Sequence, residues 1–78
     1  MTLAEVPSVP VDSSLLASVS YASGESILRL ELRDGAIYQY FDVPAEIYHC
    51  LLAAESKGNY FNRQIRSRFH YALLRPAR

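Results

Sequence analysis

Residues 26–33 alternate between apolar and charged side chains, and this pattern constrains the fold more than any other part of the sequence. Leu28, Leu30 and Leu32 are each followed by a charged residue. Successive side chains of a β-strand point to opposite faces, so the leucines share one face and the charged groups share the other. The segment is therefore predicted to be a strand with one buried face, and it needs neighbours that cover its leucines.

The turn after this strand permits two hairpin registers with opposite consequences. Asp34-Gly35 is a common hairpin turn, and a two-residue loop there leaves Tyr38 and Tyr40 on the exposed face and buries Gln39. A three-residue loop, with Gly35 left-handed in a bulge, places both tyrosines among the leucines instead. We favour the second register because the first costs ~1 to 3 kcal/mol if the buried Gln39 amide finds no partner. The pairs in the favoured register are Leu28 with Tyr40, Leu30 with Tyr38 and Leu32 with Ala36.

The remaining strands are predicted from other segments. The run after Asp34-Gly35 is predicted to be the second strand of the hairpin. Residues 69–74 alternate in their side-chain character, which is typical of either a short final strand or an extended tail. Residues 15–21 also alternate, and the side chains expected on the core face are Leu15, Ala17, Val19 and Tyr21.

Two helices are predicted between the hairpin and the C-terminal segment. Pro44 marks the start of the first helix, which should run to about residue 54. Ser56 is a favourable N-cap for the second helix, which should run to about residue 66 and bury Phe61 and Ile65. The predicted fold is α+β: a three-stranded antiparallel β-meander covered on one face by two short α-helices, with a fourth strand at the C-terminus as the open alternative.

The length of 78 residues, half of them apolar, is sufficient for one small domain. Residues 1–13 show no periodicity and are predicted to be a mobile N-terminal lead-in, followed by a single domain over residues 14–74 and a C-terminal tail over residues 75–78. Cys50 is the only cysteine, and we interpret it as a small core residue in a reducing cytoplasm. The sequence has no signal-peptide pattern and no run of ~20 apolar residues, so we expect a cytoplasmic protein without a membrane partner.

Two short motifs resemble a known family. One is Tyr38-Gln39-Tyr40, and the other is the run SKGNYFNRQIR over residues 56–66. Together with the three leucines, they resemble the KTSC family, which occurs at the C-terminus of some lysyl-tRNA synthetases and as stand-alone bacterial proteins. The resemblance covers residues 11–71 and implies a KTSC-like domain over residues 14–74, with a suggestion of RNA binding but no established activity. The residues that match the family pattern are Tyr38, Tyr40, Ser56, Gly58, Phe61 and Asn62.

The charges are strongly partitioned along the chain although the net charge is zero. All eight acidic residues precede residue 56, whereas six of the eight basic residues follow it with no acid among them. The two halves can neutralise each other when they fold together, or the basic half can form a surface for an anionic partner.

The polar side of the second helix is the candidate binding surface. Its amide, ammonium and guanidinium groups suit phosphates and base edges, and they belong to Lys57, Asn59, Asn62, Arg63, Arg66 and Arg68. The competing interpretation is a solvated helix face that forms ion pairs with Glu46 or Glu55. Tyr38 and Tyr40 also have two interpretations, since they either pack in the core or form a stacking platform for single-stranded bases. Gly58 is interpreted as allowing the two helices to approach closely.

The sequence shows no pattern typical of a catalytic or metal site. His49 and Cys50 are adjacent on a helix, where neighbouring side chains diverge by about 100° and cannot act together as nucleophile and base. We therefore predict no enzymatic activity and no cofactor. The predicted function is a small non-enzymatic module that binds RNA or single-stranded nucleic acid through the basic helix face. The alternative is a protein–protein interaction or homo-oligomerisation module that uses a sheet edge.

Overall fold

Over residues 6–78, the fold is built on an antiparallel sheet whose five strands follow one another in sequence order. The structure, a computed structural model, describes residues 6–78. The α+β class and the predicted meander over the second to fourth strands are confirmed. The C-terminal strand that the sequence left open is present beside the fourth strand, and an unpredicted strand lies at the other edge. The elements are β1 (Val9–Pro10), β2 (Leu16–Ala22), β3 (Ile27–Leu32), β4 (Ile37–Tyr40), α1 (Ala45–Ala53), α2 (Lys57–Gln64) and β5 (Tyr71–Arg75).

The hairpin between β3 and β4 adopts the three-residue loop. Leu28 pairs with Tyr40, and Leu30 pairs with Tyr38. Gly35 has a φ of 97°, in the left-handed region that favours glycine. Both tyrosines therefore lie on the leucine face, and the favoured register is confirmed.

The same register places Gln39 on the face of the sheet away from the leucines. There its side-chain oxygen accepts a hydrogen bond from the Arg29 guanidinium at 3.0 Å. The Gln39 side-chain amide, which would cost free energy if it were buried without a partner, is therefore hydrogen-bonded outside the core.

A β-bulge between Leu16 and Ser18 interrupts the alternation of β2. Leu16 pairs with Leu32 and is fully buried, whereas the alternation predicts that Leu15 and Ala17 face the core. A bulge adds one residue to a strand and shifts the side chains before it to the opposite face. The prediction therefore missed Leu16 as a core residue, although Leu15 is partly buried and also packs against the core, and the later part of the strand keeps its predicted face.

Part of the predicted lead-in joins the sheet as the edge strand β1. Val9 and Pro10 pair with β2, and an edge strand tolerates proline because its outer side needs no hydrogen-bond donor. The Arg33 guanidinium holds the next residues by donating to the carbonyls of Val11 and Ser13, both at 3.0 Å. The sequence pattern does not predict this pairing, and residues 1–5 of the lead-in lie outside the described residues.

The C-terminal residues pack against the hairpin turn. Arg75, the first residue of the predicted tail, belongs to β5 and donates from Nε to the carbonyl of Gly35 at 2.8 Å. The amide of Arg78 donates to the carbonyl of Asp34 at 2.9 Å. Arg75 therefore ends the sheet, and Arg78 lies against the turn, which local sequence patterns do not reveal.

The two helices cover the leucine face of the sheet. Leu51 of α1 and Phe61 of α2 are buried, and Ile65 follows α2 into the core. Ser56 is the N-cap of α2 as predicted, and its hydroxyl accepts a hydrogen bond from the amide of Asn59 at 3.3 Å. The fully or almost fully buried cluster comprises Leu16, Val19, Leu28, Leu30, Tyr40, Val43, Leu51, Phe61 and Ile65.

Two details of the helices differ from the prediction. Helix α2 ends at Gln64 rather than near residue 66, because the amides of Ile65 and Arg66 both donate to the carbonyl of Phe61 and close the last turn. Cys50 is exposed rather than buried, since it lies about 100° around α1 from Leu51. Within residues 6–78, neither helix is long and apolar enough to cross a membrane.

Candidate nucleic-acid interface

The predicted binding residues lie along the outer side of α2 and the turn that follows it. We call them the basic surface, which comprises Lys57, Asn59, Asn62, Arg63, Arg66 and Arg68. All are exposed except Lys57, which is half-buried. The Lys57 ammonium donates to the carbonyl of Ala54 at 3.0 Å, so it also satisfies a carbonyl at the C-terminus of α1.

The C-terminal end of α2 gathers four of the six residues. The Arg66 guanidinium donates to the side-chain oxygen of Asn62 at 3.3 Å, and Nε of Arg68 donates to the carbonyl of Arg63 at 3.2 Å. The negative end of a helix dipole favours cations at this position. Lys57 and Asn59 lie at the opposite end of the helix, so the structure brings together the three arginines and Asn62 but leaves the other two apart.

The basic surface forms no ion pair with the acidic half of the described chain. Within residues 6–78, the salt bridge that forms joins Arg75 to Glu31 at 3.2 Å. Neither Glu46 nor Glu55 pairs with α2 there, so the competing interpretation of a neutralised helix face does not describe this part of the chain. The guanidinium groups of the basic surface therefore face solvent without a described carboxylate partner.

A cleft of about 620 Å³ lies beside the basic surface, between the C-terminal end of α2, β4 and β5. We call it the tyrosine cleft. Residues from both sequence motifs and from β5 line this cleft. Among those that line it are Tyr38, Tyr40, Phe61, Asn62, Arg66 and Tyr71.

Three tyrosine rings form the aromatic part of the tyrosine cleft. The ring centroids of Tyr38 and Tyr71 are 5.6 Å apart in an edge-to-face arrangement, and those of Tyr40 and Tyr71 are 5.5 Å apart. Tyr40 is 1% exposed and packs edge-on against Phe61 at 5.8 Å, whereas Tyr71 is 56% exposed. Tyr40 is therefore a core residue, Tyr38 is half-buried at the cleft, and Tyr71 offers the open ring.

Sequence reasoning missed Tyr71 as a site residue. The alternation over residues 69–74 predicts a strand that contains it, but the pattern does not state which strand it joins. In the structure Tyr71 pairs directly with Tyr40, which brings the third ring to the Tyr-x-Tyr motif. Two signals together could have predicted this role for Tyr71. It is an aromatic residue in a predicted C-terminal strand, and β4 would otherwise be an unpaired edge of the sheet.

The family now follows from comparison with known proteins. A family model described as the KTSC domain matches residues 12–69. The chain belongs to the KTSC family. The crystal structure of a KTSC domain protein from Yersinia pestis superposes on it with a TM-score of 0.85 and 30% identity, covering 88% of this chain and 97% of that one.

Two relatives differ in how much of their own length is similar to this KTSC domain. A protein of Tsukamurella paurometabola is 42% identical over 65 residues, which span 83% of this chain and 97% of that protein. A lysine–tRNA ligase of Nostoc punctiforme is 32% identical over 68 residues, which span 87% of this chain but 12% of the ligase. The chain is thus similar both to a small protein over nearly its full length and to one segment of a larger one.

The structure explains several residues of the KTSC motifs by packing. A Cβ atom on Gly58 would lie 3.2 Å from Cβ of Leu15, so glycine lets α2 approach the chain that enters β2. The interpretation that Gly58 serves contact between the two helices is therefore wrong. Ser56 caps α2 and Phe61 fills the core, whereas Asn62 is exposed beside the tyrosine cleft.

The Tyr40 hydroxyl in the tyrosine cleft has a raised pKa. Burial raises the pKa of Tyr40 to about 12, the neighbouring Tyr38 and Tyr71 act in the same direction, and the positive charge of Arg66 opposes them. The Arg66 guanidinium is therefore near enough to the Tyr40 hydroxyl to act on it electrostatically. The hydroxyl stays protonated over the whole physiological range.

The raised pKa predicts a specific loss of stability in alkali. The unfolded chain releases the Tyr40 proton near pH 10 and the folded KTSC domain near pH 12, so this contribution is complete below pH 10 and is lost between pH 10 and 12. We expect a loss of ~2 kcal/mol over that window relative to Tyr40→Phe, which has no proton to release. Denaturant unfolding of both proteins from pH 9 to 12 measures it, and the other tyrosines cancel in the difference. A constant difference across the window would contradict the assignment.

Proposed function

We propose that this KTSC domain is a non-enzymatic cytoplasmic module that binds RNA or single-stranded nucleic acid through the basic surface. The observation that carries the proposal is the cluster of Arg63, Arg66 and Arg68 at the end of α2. These three side chains are exposed and have no carboxylate partner among residues 6–78. Guanidinium groups suit phosphates because their planar donors match the phosphate oxygens.

Three further findings support a nucleic acid over other anions. The amide of Asn62 lies within the same cluster and can donate to or accept from a base edge. The tyrosine cleft adjoins the cluster and holds aromatic rings of the kind on which unpaired bases stack. A relative of this domain is a segment of a lysine–tRNA ligase, which is a protein that acts on an RNA.

Binding should weaken with salt in proportion to the number of phosphates contacted. If about four cations contact single-strand phosphates, the plot of log affinity against log salt concentration should have a slope of roughly −3, since each contact contributes about −0.7. Replacing both Arg63 and Arg66 with alanine should flatten the slope by ~1.4. Fluorescence anisotropy of a labelled single-stranded RNA over a series of salt concentrations measures both slopes.

The lysine double variant, Arg63→Lys with Arg66→Lys, is the matched control. It keeps both charges and should therefore keep the salt slope, although it loses the bidentate geometry. Both double variants should unfold within ~0.5 kcal/mol of the parent, because exposed arginines contribute little to stability. Absence of binding at low salt, or a slope that the alanine substitutions leave unchanged, would refute the proposal.

The second candidate is an interaction module that uses the outer edge of β5, and a specific observation favours it. Tyr71, Leu73 and Leu74 are 56%, 50% and 49% exposed on a strand that has a described neighbour, β4, on one side. An apolar edge strand readily pairs with a strand of another chain. Sedimentation of the domain at increasing concentration tests a homodimer, and a dimer without RNA binding would place this candidate first.

A further inference from the structure

The tyrosine cleft has properties that contact with the phosphate backbone does not require. Its volume of about 620 Å³ lies within the range of roughly 300 to 1,000 Å³ that is usual for small-molecule sites. Aromatic rings form part of its lining, with Tyr71 more than half exposed. A phosphate would gain little from this lining, whereas a planar aromatic ligand would gain a stacking partner.

Arg66 lies at the Tyr40 end of the tyrosine cleft. It follows α2, whose Phe61 packs edge-on against Tyr40, and it lines the cleft. Tyr71 pairs directly with Tyr40 and therefore lies at the same end. The other end, roughly 13 Å away along β4, is the hairpin turn, where the Asp34 carboxylate lines the cleft and the Arg78 side chain lies against Gly35.

The Arg66 end supplies the two groups that a nucleotide needs. The Arg66 guanidinium attracts a phosphate. The exposed ring of Tyr71 offers a base a stacking partner. A nucleotide fits this end of the cleft if its base lies on Tyr71 and its phosphate meets Arg66.

We propose that the tyrosine cleft binds one unstacked nucleobase of the single strand held by the basic surface. The base stacks on Tyr71 and places its phosphate on Arg66. This inference rests on the proposed function and adds the recognition of a base to the binding of a backbone.

The test compares a hexamer of cytidylate with an abasic hexamer of the same backbone length. The chain contains six tyrosines and no tryptophan, so quenching of its intrinsic fluorescence reports stacking on tyrosine. We expect the cytidylate hexamer to bind about tenfold more tightly than the abasic one, and to quench the fluorescence, because one stacked base typically strengthens binding by about five- to a hundredfold.

The variant Tyr71→Leu keeps an apolar side chain on β5 but removes the ring. It should bind both hexamers with the affinity that the parent shows for the abasic one, and its salt slope should match that of the parent. Leu74→Ala is the matched control, because Leu74 is exposed on the same strand but does not line the tyrosine cleft. It should behave as the parent does.

The comparison of the cytidylate and abasic hexamers on the parent does not depend on the folding of Tyr71→Leu.

The outcomes separate this inference from the proposed function. Equal affinity of the parent for the cytidylate and abasic hexamers, with a salt slope near −3, would overturn the base site and leave the basic surface in place. Failure to bind any hexamer at low salt would refute the proposed function itself.

Discussion

Replacing Tyr40 with alanine is expected to destabilise the KTSC domain by ~3 kcal/mol or more, the scale found when other buried aromatic side chains are truncated. Tyr40 is 1% exposed, packs edge-on against Phe61 and pairs with Leu28 across the hairpin. Alanine leaves a cavity that a rigid sheet cannot close. A domain of this size has net stability of about 5 kcal/mol, so the variant should be partly unfolded at ambient temperature. Denaturant unfolding followed by circular dichroism measures the loss.

The control for this substitution is Tyr40→Phe. Phenylalanine retains the ring and should cost less than ~1.5 kcal/mol at neutral pH, because the volume in the core is nearly unchanged. If Tyr40→Ala folded as stably as the parent and lost only ligand binding, Tyr40 would be a surface residue and the hairpin register described above would be wrong.

Leu30→Ala is expected to cost ~2 to 5 kcal/mol, since Leu30 is fully buried at the centre of the sheet. It pairs with Val19 of β2 on one side and with Tyr38 of β4 on the other, so neighbours on both strands hold the cavity open. The free energy of unfolding from denaturant titration measures the effect. Leu74→Ala, which truncates an exposed leucine on β5, should stay within ~0.5 kcal/mol of the parent. An unchanged melting temperature for Leu30→Ala would contradict the packing of β3.

These expected results divide the aromatic residues by role. Tyr40 stabilises the fold, so its place in the Tyr-x-Tyr motif needs no ligand to explain it. Tyr71 is exposed and borders the same cleft, so its substitution should affect binding more than folding. The functional hypothesis therefore depends on Tyr71 and on the arginines at the end of α2, rather than on the motif that points to the family.

The candidate site was predicted in part. The polar side of α2 and its exposure follow from helical periodicity and from Ser56 as N-cap, both of which are local properties. The hydrogen bond from Lys57 to Ala54 and the gathering of the arginines near Asn62 depend on how α2 ends and on where α1 lies. A helical pattern gives the face of a side chain but not its partners.

The sequence by itself determined β3, the N-cap of α2 and the separation of acidic from basic residues, and it favoured the hairpin register that the structure shows. Each depends on interactions among neighbours in the chain: the two-residue period of a strand, the left-handed turn at Gly35, and the cost of burying Gln39. Only the tertiary structure decided the bulge that buries Leu16, the edge strand β1 and the pairing that brings Tyr71 to Tyr40. These features join segments that are distant in sequence. Strand partners are selected by the packing of the whole sheet, and no local period encodes that selection.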